Sequence, residues 1–147
     1  MDTRIAGSLR PKNQEDFEIL QRVEHSISIA EAMNEPLWLG DKYHRAIYVN
    51  PVYEKISGYS LAECIGQSSD FCFDEKSKQT IAEHHRLRKQ GMASQYEATM
   101  ISKTGKEIPL LISGAPTSTG GTIGIFINLS KVKKLEEQSR ITEQIVK

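Results

Sequence analysis

The sequence has no long apolar run and no excess of charge of either sign. Its 147 residues include 19 lysines and arginines and 19 aspartates and glutamates, which gives a formal net charge of zero. Because nucleic-acid binders carry a basic patch, this balance argues against a nucleic-acid partner. No segment approaches the ~20 apolar residues that cross a bilayer, and residues 1–10 lack the apolar core of a signal peptide. We therefore expect a cytoplasmic protein without a membrane segment.

Cysteine is also scarce, and the motifs of catalysis and metal binding are missing. The two cysteines, Cys64 and Cys72, have neither the Cys-x-x-Cys spacing of a metal site nor the number needed for a disulfide framework, so we expect free thiols. Gly120-Gly121 is not followed by the Gly-Lys-Ser of a phosphate-binding loop. No Ser/His/Asp arrangement is visible either. The sequence predicts no metal site and no catalysis by this chain.

What the sequence does contain is a strand that runs directly into two short helices. Residues 46–49 are apolar and partly β-branched, and Asn50-Pro51 then supplies a helix N-cap and a proline at the first helical position. Gly58 is placed to end that helix, and Ser60 with Glu63 has the spacing of a capping box. Because isolated helices this short are unstable in water, we expect them to pack against a sheet.

Helical segments flank the middle of the chain. We expect residues 1–14 to be disordered and residues 15–34 to form a helix, because an apolar stripe recurs there at three- and four-residue intervals. The stripe consists of Phe17, Leu20, Val23, Ile27 and Ala30. Residues 131–147 are charged and helix-forming, with apolar side chains near heptad positions. The sequence thus predicts a domain over residues 35–130 between two amphipathic helices.

The middle of the chain alternates between strand and helix patterns. Two short apolar runs, residues 37–39 and 46–49, form the first predicted hairpin. Residues 74–91 fit a longer helix, with an aspartate as its N-cap and a glycine at its end. Alternating or apolar positions predict three more strands, within residues 95–100, 108–112 and 124–127. Five strands and a helical cover result.

These features occur in the order and spacing of a known family. The run from Tyr48 to Gly66, the turn Lys103–Pro109 and the tripeptide Asn128-Leu129-Ser130 resemble the motifs of PAS domains. The resemblance covers roughly residues 35–130. It implies an α+β fold with a five-stranded antiparallel sheet in the order 2-1-5-4-3. It also implies helices over one face of that sheet and a ligand pocket between the two layers.

The resemblance also implies a role in signal transduction. PAS domains are sensory input domains of proteins such as the histidine kinases of two-component systems, and their flanking helices pair in homodimers and drive a C-terminal output domain. On this basis the stripe of the N-terminal helix is the predicted dimer interface. Asn128, Leu129 and Ser130 are the predicted signal relay between the last strand and the exit helix. The family often has Asp-Ile-Thr there, so the charge of the aspartate is missing.

The residues that hold cofactors in some PAS domains are not matched. Ser69 stands where LOV photoreceptors carry their reactive cysteine, and a serine without an adjacent base is a poor nucleophile. His84 and His85 lie on the helix that carries the axial histidine of haem-binding PAS domains, but that position falls on Thr80. We expect both histidines to be surface or half-buried residues, and His44 to be solvated. Haem and flavin remain minor alternatives to a domain without a cofactor.

Eight side chains are candidates for the wall of a pocket: Trp38, Tyr53, Ile56, Phe71, Phe73, Tyr96, Met100 and Ile112. They are apolar or aromatic with a few polar tips, as in small-molecule sites, although a place in the ordinary core is the simpler interpretation of each. Three functions stay open. The chain is a ligand-responsive input domain of a larger signalling protein, a ligand-blind dimerisation and interaction module, or a haem- or flavin-bearing sensor.

Overall fold

A computed structural model describes residues 13–118 and 120–146, and these residues form five helices and five strands. In chain order they are α1 (Gln14–Ala32), β1 (Leu37–Gly40), β2 (Ala46–Val49), α2 (Pro51–Ser57), α3 (Leu61–Cys64), α4 (Glu75–Lys89), β3 (Ser94–Ile101), β4 (Glu107–Pro116), β5 (Thr122–Asn128) and α5 (Ser130–Val146). The predicted disorder concerns residues 1–14, of which residues 1–12 lie outside the described part. Asn13 caps α1 by accepting a hydrogen bond from the backbone N–H of Asp16 at 2.8 Å.

The strands form one antiparallel sheet in the order β2-β1-β5-β4-β3. This is the order that the resemblance implied, and it is confirmed. β5, the last strand in the chain, lies at the centre of the sheet between β1 and β4. It leads within two residues into the exit helix α5. The centre of the sheet is therefore connected directly to the end of the chain.

The two short helices are held by the local signals that the sequence shows. Asn50 caps α2 through a hydrogen bond from the Tyr53 N–H, and Gly58 ends it with a φ of 78°. Ser60 and Glu63 form both hydrogen bonds of the predicted capping box at the start of α3. Side chains of both helices contact the core that covers the inner face of the sheet. Capping thus defines their ends, and packing stabilises them.

The sheet has an apolar core on each face. The inner core, beneath α2, α3 and α4, includes Trp38, Met100 and Phe126. The outer core joins α1 to the opposite face of the sheet, where it meets Leu37 and Leu39 of β1. Neighbouring residues of β1 point to opposite faces, which is the normal alternation along a strand. The N-terminal helix is therefore part of the domain and covers the face that the other helices leave open.

The apolar stripe of α1 is already covered by the same chain. Leu20, Val23, Ile27 and Ala30 are buried in the outer core, and Phe17 is half-buried. Pairing through this stripe stays a prediction, but in this conformation the sheet occupies the surface that a partner would need. The amphipathic pattern of α1 allows its apolar stripe to be buried either by a partner helix or by the sheet of the same chain. In the folded chain the sheet buries it.

Within residues 13–118 and 120–146, the exit helix has no such cover. Residues 131–144 of α5 are exposed, although its first turn is attached to the sheet by an ion pair of 3.1 Å between Lys133 and Glu97. Its apolar residues Val132, Leu135 and Ile141 are about half exposed. Within the described residues, none of the helices is long and apolar enough to span a membrane.

Candidate ligand cavity

A small cavity lies between the inner face of the sheet and helix α4. Its volume is about 20 Å³, and a single water needs ~10–15 Å³ of such space. The residues that line it are Trp38, Ser69, Phe73, Ile81, His85, Arg88, Tyr96, Ile112, Gly114, Thr122, Gly124 and Phe126. Several polar groups therefore converge on a mostly apolar wall, which is the usual composition of a small-molecule site.

The structure separates the eight predicted wall residues into two groups. Four line the cavity, namely Trp38, Phe73, Tyr96 and Ile112. The other four lie in or against the same core but away from the cavity, namely Tyr53, Ile56, Phe71 and Met100. Sequence reasoning missed the polar part of the wall, because serine, histidine and arginine on a polar helix or loop normally indicate a solvated surface.

Two large side chains fill much of the space above the sheet, because each packs directly against a glycine of a strand. A Cβ built on Gly114 would overlap the Arg88 guanidinium, and one on Gly40 would overlap the Trp38 indole. Each bulky group therefore lies directly against the backbone of a strand. This close approach is possible because glycine has no side chain, and it is the reason why the remaining cavity is small.

Arg88 is the most unusual member of the wall. It is only 6% exposed, although it lies in the last turn of a helix whose surface is otherwise polar. Its Nη1 donates to the Met92 carbonyl and to the Ser94 hydroxyl, both at 2.9 Å. Its Nε is buried and has no hydrogen-bond partner among the residues that the structure describes. Among the described residues, no carboxylate forms an ion pair with this guanidinium.

Two histidines stack beside the cavity. The ring of His85 makes a 3.0 Å hydrogen bond through Nε2 with the Ser69 hydroxyl and lies against the ring of His44. Burial lowers the pKa of both, and that of His85 falls to about 4. Both nitrogens of His44 are buried, and neither has a hydrogen-bond partner in the described part of the chain. The expectation of a solvated His44 was wrong, because the loop that carries it folds back over α4.

His84, on the neighbouring face of α4, is half-buried as expected. Its Nδ1 lies 2.6 Å from the Ser94 hydroxyl, and its ring stacks on Tyr96 with centroids 4.1 Å apart. His84 and His85 each use a ring nitrogen in a bond to a serine, on different sides of the helix. Within the described residues, no group of three or more histidine, cysteine or acidic side chains could hold a metal ion.

A second, open cleft adjoins the cavity at Arg88. Its volume is about 330 Å³, and its lining includes Lys42, His44, Arg88, Lys89 and Thr122. No acidic residue is among the described residues that line it. Lys42 approaches Glu15 at 3.9 Å, but both of these side chains are about half exposed. Arg88 and Thr122 line the cleft as well as the inner cavity, so the two spaces adjoin each other at these residues.

The two cysteines lie in the core and carry no activating group. Cys64 is buried, and Cys72 is half-buried with its sulfur 3.6 Å from the Tyr53 hydroxyl. Burial raises the pKa of Cys64 to about 12 and that of Cys72 to about 11. Both thiols are therefore protonated at neutral pH and poor nucleophiles. The structure confirms free thiols.

The predicted relay residues form the junction between β5 and α5. The side chain of Asn128 accepts a hydrogen bond from the Ser130 backbone N–H at 2.9 Å. The N–H of Leu129 donates to the carbonyl of Pro109 on β4 at 2.8 Å. The junction thus connects the first turn of the exit helix to two neighbouring strands without the charge of an aspartate.

A family model described as PAS domain matches residues 34–131. No curated protein matches the chain in sequence. Similar solved structures include the PAS domain of a Colwellia psychrerythraea protein, with 19% identity, coverage of 74% of this chain and 98% of that one, and a TM-score of 0.62. The LOV domain of a blue-light activated histidine kinase from Erythrobacter litoralis EL346 is 18% identical. The match covers 65% of this chain and 95% of that one, with a TM-score of 0.56.

A third similar structure is a domain of a sensory box sensor histidine kinase/response regulator from Geobacter sulfurreducens. It is 15% identical, with coverage of 73% of this chain and 97% of that one and a TM-score of 0.60. At such identities the likeness to these structures concerns the fold. The match to the family model covers the sheet, the short helices and the junction to α5.

Proposed function

Because this chain belongs to the PAS domain family, we propose that it is a sensory input domain that binds a small ligand above its sheet and signals through its exit helix to an output domain. Such domains are sensory rather than catalytic. The proposal rests mainly on the position of β5. This strand contributes Thr122, Gly124 and Phe126 to the cavity wall and then continues through Asn128 into α5. A change in the cavity therefore acts on the strand that positions the exit helix.

The proposed relay is a small shift of α5. A ligand that displaces a side chain from the sheet changes the packing on β5, and the hydrogen bonds of Asn128 and Leu129 transfer this change to the first turn of the helix. Shifts of this kind move helices by about 1–2 Å at subunit interfaces. A histidine kinase is the output domain that the resemblance favours, and a cytoplasmic location stays a prediction.

Pairing of two copies completes the proposed mechanism. The exposed apolar residues Val132, Leu135 and Ile141 of α5 are available to a second chain, whereas most of the stripe on α1 is covered. At the end of α1, Ile29 and Met33 are exposed as well. We therefore place the homodimer contact on α5 and the end of α1, rather than on the stripe that the sequence indicated.

The small size of the cavity favours a second candidate, a ligand-blind dimerisation module. A space of about 20 Å³ is far below the ~300–1,000 Å³ of ordinary ligand sites. The two functions differ in whether binding can open the inner cavity into the cleft. A ligand-blind module would pair through α5 in the same way, but its melting temperature would not respond to small molecules.

A flavin does not fit the cavity in this conformation. The structural likeness to LOV domains suggests a flavin as a cofactor. However, Trp38 and Arg88 lie against glycines of the sheet and occupy the space above it. Ser69, at the position of the LOV cysteine, is hydrogen-bonded to His85. Room for an isoalloxazine ring would require both large side chains to leave the core. We therefore assign no role to a flavin.

Three measurements on the whole chain test this function. Sedimentation equilibrium at tens of micromolar should show a dimer, and a thermal-shift screen of small metabolites should find at least one that raises the melting temperature. A dimer without any stabilising metabolite would favour the ligand-blind module. A monomer that no metabolite stabilises would contradict both candidates. Absorbance of the purified chain in the visible range would instead support a sensor that carries a haem or flavin cofactor.

A further inference from the structure

The cavity described above contains a buried positive charge for which the described chain provides no negative partner. Arginine is almost never this deeply buried unless it is paired, and a buried charge without compensation is costly. The Met92 carbonyl and the Ser94 hydroxyl satisfy Nη1. The position of Arg88 in the last turn of α4 adds a favourable interaction with the helix dipole. These contacts leave Nε without an acceptor from the described residues.

Other polar groups near the guanidinium do not supply the missing negative charge. The nearest acid of the His44 loop, Asp41, is paired with Arg45 at 3.3 Å and accepts hydrogen bonds from two backbone N–H groups. His85 is neutral at pH 7, because burial and nearby positive charges lower its pKa. The wall of the cavity therefore carries a single full positive charge, that of Arg88.

The two spaces that Arg88 lines together have the size of a ligand site. The inner cavity of about 20 Å³ has room for little more than one small polar group, whereas the cleft of about 330 Å³ can hold the rest of a small molecule. The rim of the cleft is cationic, with Lys42 and Lys89. A cationic entrance concentrates small anions and favours their approach to the buried charge.

The geometry points to a small carboxylate as the ligand of this site, bound through its carboxylate to the Arg88 guanidinium with its remaining atoms in the cleft lined by His44 and Lys89. This inference deepens the proposed sensory function and rests on it. A planar guanidinium pairs with a carboxylate through two parallel hydrogen bonds, and the unpartnered Nε is one of the donors that such a pair uses.

A carboxylate suits the site better than a phosphate does. One carboxylate carries one negative charge, which the single charge of Arg88 neutralises, whereas a phosphate carries nearly two at neutral pH. Phosphates are also commonly bound by the N–H groups of a helix N-terminus. Arg88 lies at the C-terminal end of α4 instead. The pairing would also provide the signal, because Arg88 lies on Gly114 of β4, the strand next to β5.

The test measures thermal unfolding of the whole chain with sodium acetate, pyruvate, succinate or glutarate, each against sodium chloride of the same ionic strength. Sodium phosphate is a separate arm. At least one carboxylate should raise the melting temperature of the wild type. The Arg88→Gln variant should bind it at least about tenfold more weakly, since hydrogen bonds to charged groups contribute strongly. Arg86→Gln is the matched control, because Arg86 is an exposed arginine of the same helix.

A second readout does not depend on how well a charge-removing variant folds. In ¹H–¹⁵N spectra of the wild type, one arginine Nε–Hε resonance should shift when the stabilising carboxylate is added, but not with sodium chloride. The Arg88→Lys variant, which keeps the charge and loses the Nε–H group, identifies that resonance by its absence. A resonance that shifts and persists in Arg88→Lys would overturn the assignment to this residue.

Two results of the thermal experiment would overturn the inference. The first is stabilisation by none of the four carboxylates, with or without stabilisation by phosphate, and the second is an equal carboxylate effect in wild type and Arg88→Gln. These results are distinct from a failure of the proposed function. A dimer stabilised by an uncharged metabolite keeps the sensory function and rejects the carboxylate, whereas a monomer that no small molecule stabilises rejects both.

Discussion

The rings of His44 and His85 lie parallel, with centroids 3.7 Å apart and an interplanar angle of 8°. The contact joins the β1–β2 turn to the middle of α4, next to the buried Arg88. Two stacked imidazoles do not tolerate a positive charge on both rings, because like charges at this distance repel. Burial and the positive charges nearby lower the pKa of both rings, and Asp70 opposes this effect at His85 only in part.

Acidification should therefore destabilise the fold. The folded chain binds a proton at His85 with a pKa of about 4, whereas the unfolded chain does so near 6.5. Between these values the unfolded state holds more protons, so the free energy of unfolding falls as the pH is lowered from about 6.5 towards 4. Urea denaturation at pH 7 and about pH 5 measures this loss. The loss of unfolding free energy between the two pH values should be smaller in His85→Asn than in the wild type. It should be the same as in the wild type in His25→Asn, because the side chain of His25 is exposed. Equal losses in all three proteins would contradict the prediction.

Gly114→Ala should destabilise the domain by about 1–3 kcal/mol, because its Cβ would overlap the Arg88 guanidinium and force it from the sheet. Urea unfolding gives the change in free energy. The cause is tested in an Arg88→Ala background, where the same substitution should cost much less. An undiminished cost there would show that the clash with Arg88 is not the reason.

Asn50→Ala should cost about 2–4 kcal/mol, more than an ordinary N-cap. Asn50 is fully buried, accepts hydrogen bonds from the N–H groups of Leu37 and Tyr53, and donates to the carbonyl of Glu35. Its loss leaves buried backbone groups without partners at the start of β1 and α2. Chemical denaturation should show a loss of only ~1 kcal/mol for Asn13→Ala, an N-cap at an exposed helix end. Equal losses would show that the additional bonds of Asn50 contribute little.

Leu135→Ala should weaken the dimer but not the fold. Leu135 is 54% exposed in the single chain, so its truncation removes little buried surface there. Sedimentation equilibrium should show weaker association, and urea unfolding of the dissociated chain should be unchanged. The comparison is Leu20→Ala, which removes a buried side chain of the outer core and should cost about 2–5 kcal/mol. Wild-type association of Leu135→Ala would exclude α5 as the contact.

Asn128→Ala should reduce regulation of the output domain in the parent signalling protein. The substitution removes the hydrogen bond to the Ser130 N–H, whereas the packing of the partly exposed junction should change little. Output activity with and without the stabilising ligand measures the effect. Asn128→Asp, which keeps the acceptor and adds the charge common in the family, is the matched control. Regulation that is intact in Asn128→Ala would place the relay elsewhere.

Local signals in the sequence predicted the short helices and their ends well. The caps at Asn50, Gly58 and Ser60 depend on residues within a few positions of one another, and the structure shows each of them. Half of the predicted cavity wall was also found from the sequence, because Trp38, Tyr96 and Ile112 are large residues of predicted strands and Phe73 is an aromatic residue of the segment between two helices. The position of α1 could not be predicted, since an apolar stripe does not specify which surface covers it.

The sequence alone determined the element order, the strand pattern and the resemblance to PAS domains, because caps, turns and alternation are properties of neighbouring residues. Only the tertiary structure decided that Arg88 is buried, that His44 stacks on His85 and that α1 covers the outer face. Arg88 can be buried because Gly114, on a strand that follows later in the chain, leaves room for it. Such a contact between distant residues has no signal in the local sequence, and it is this contact that places a positive charge in the candidate site.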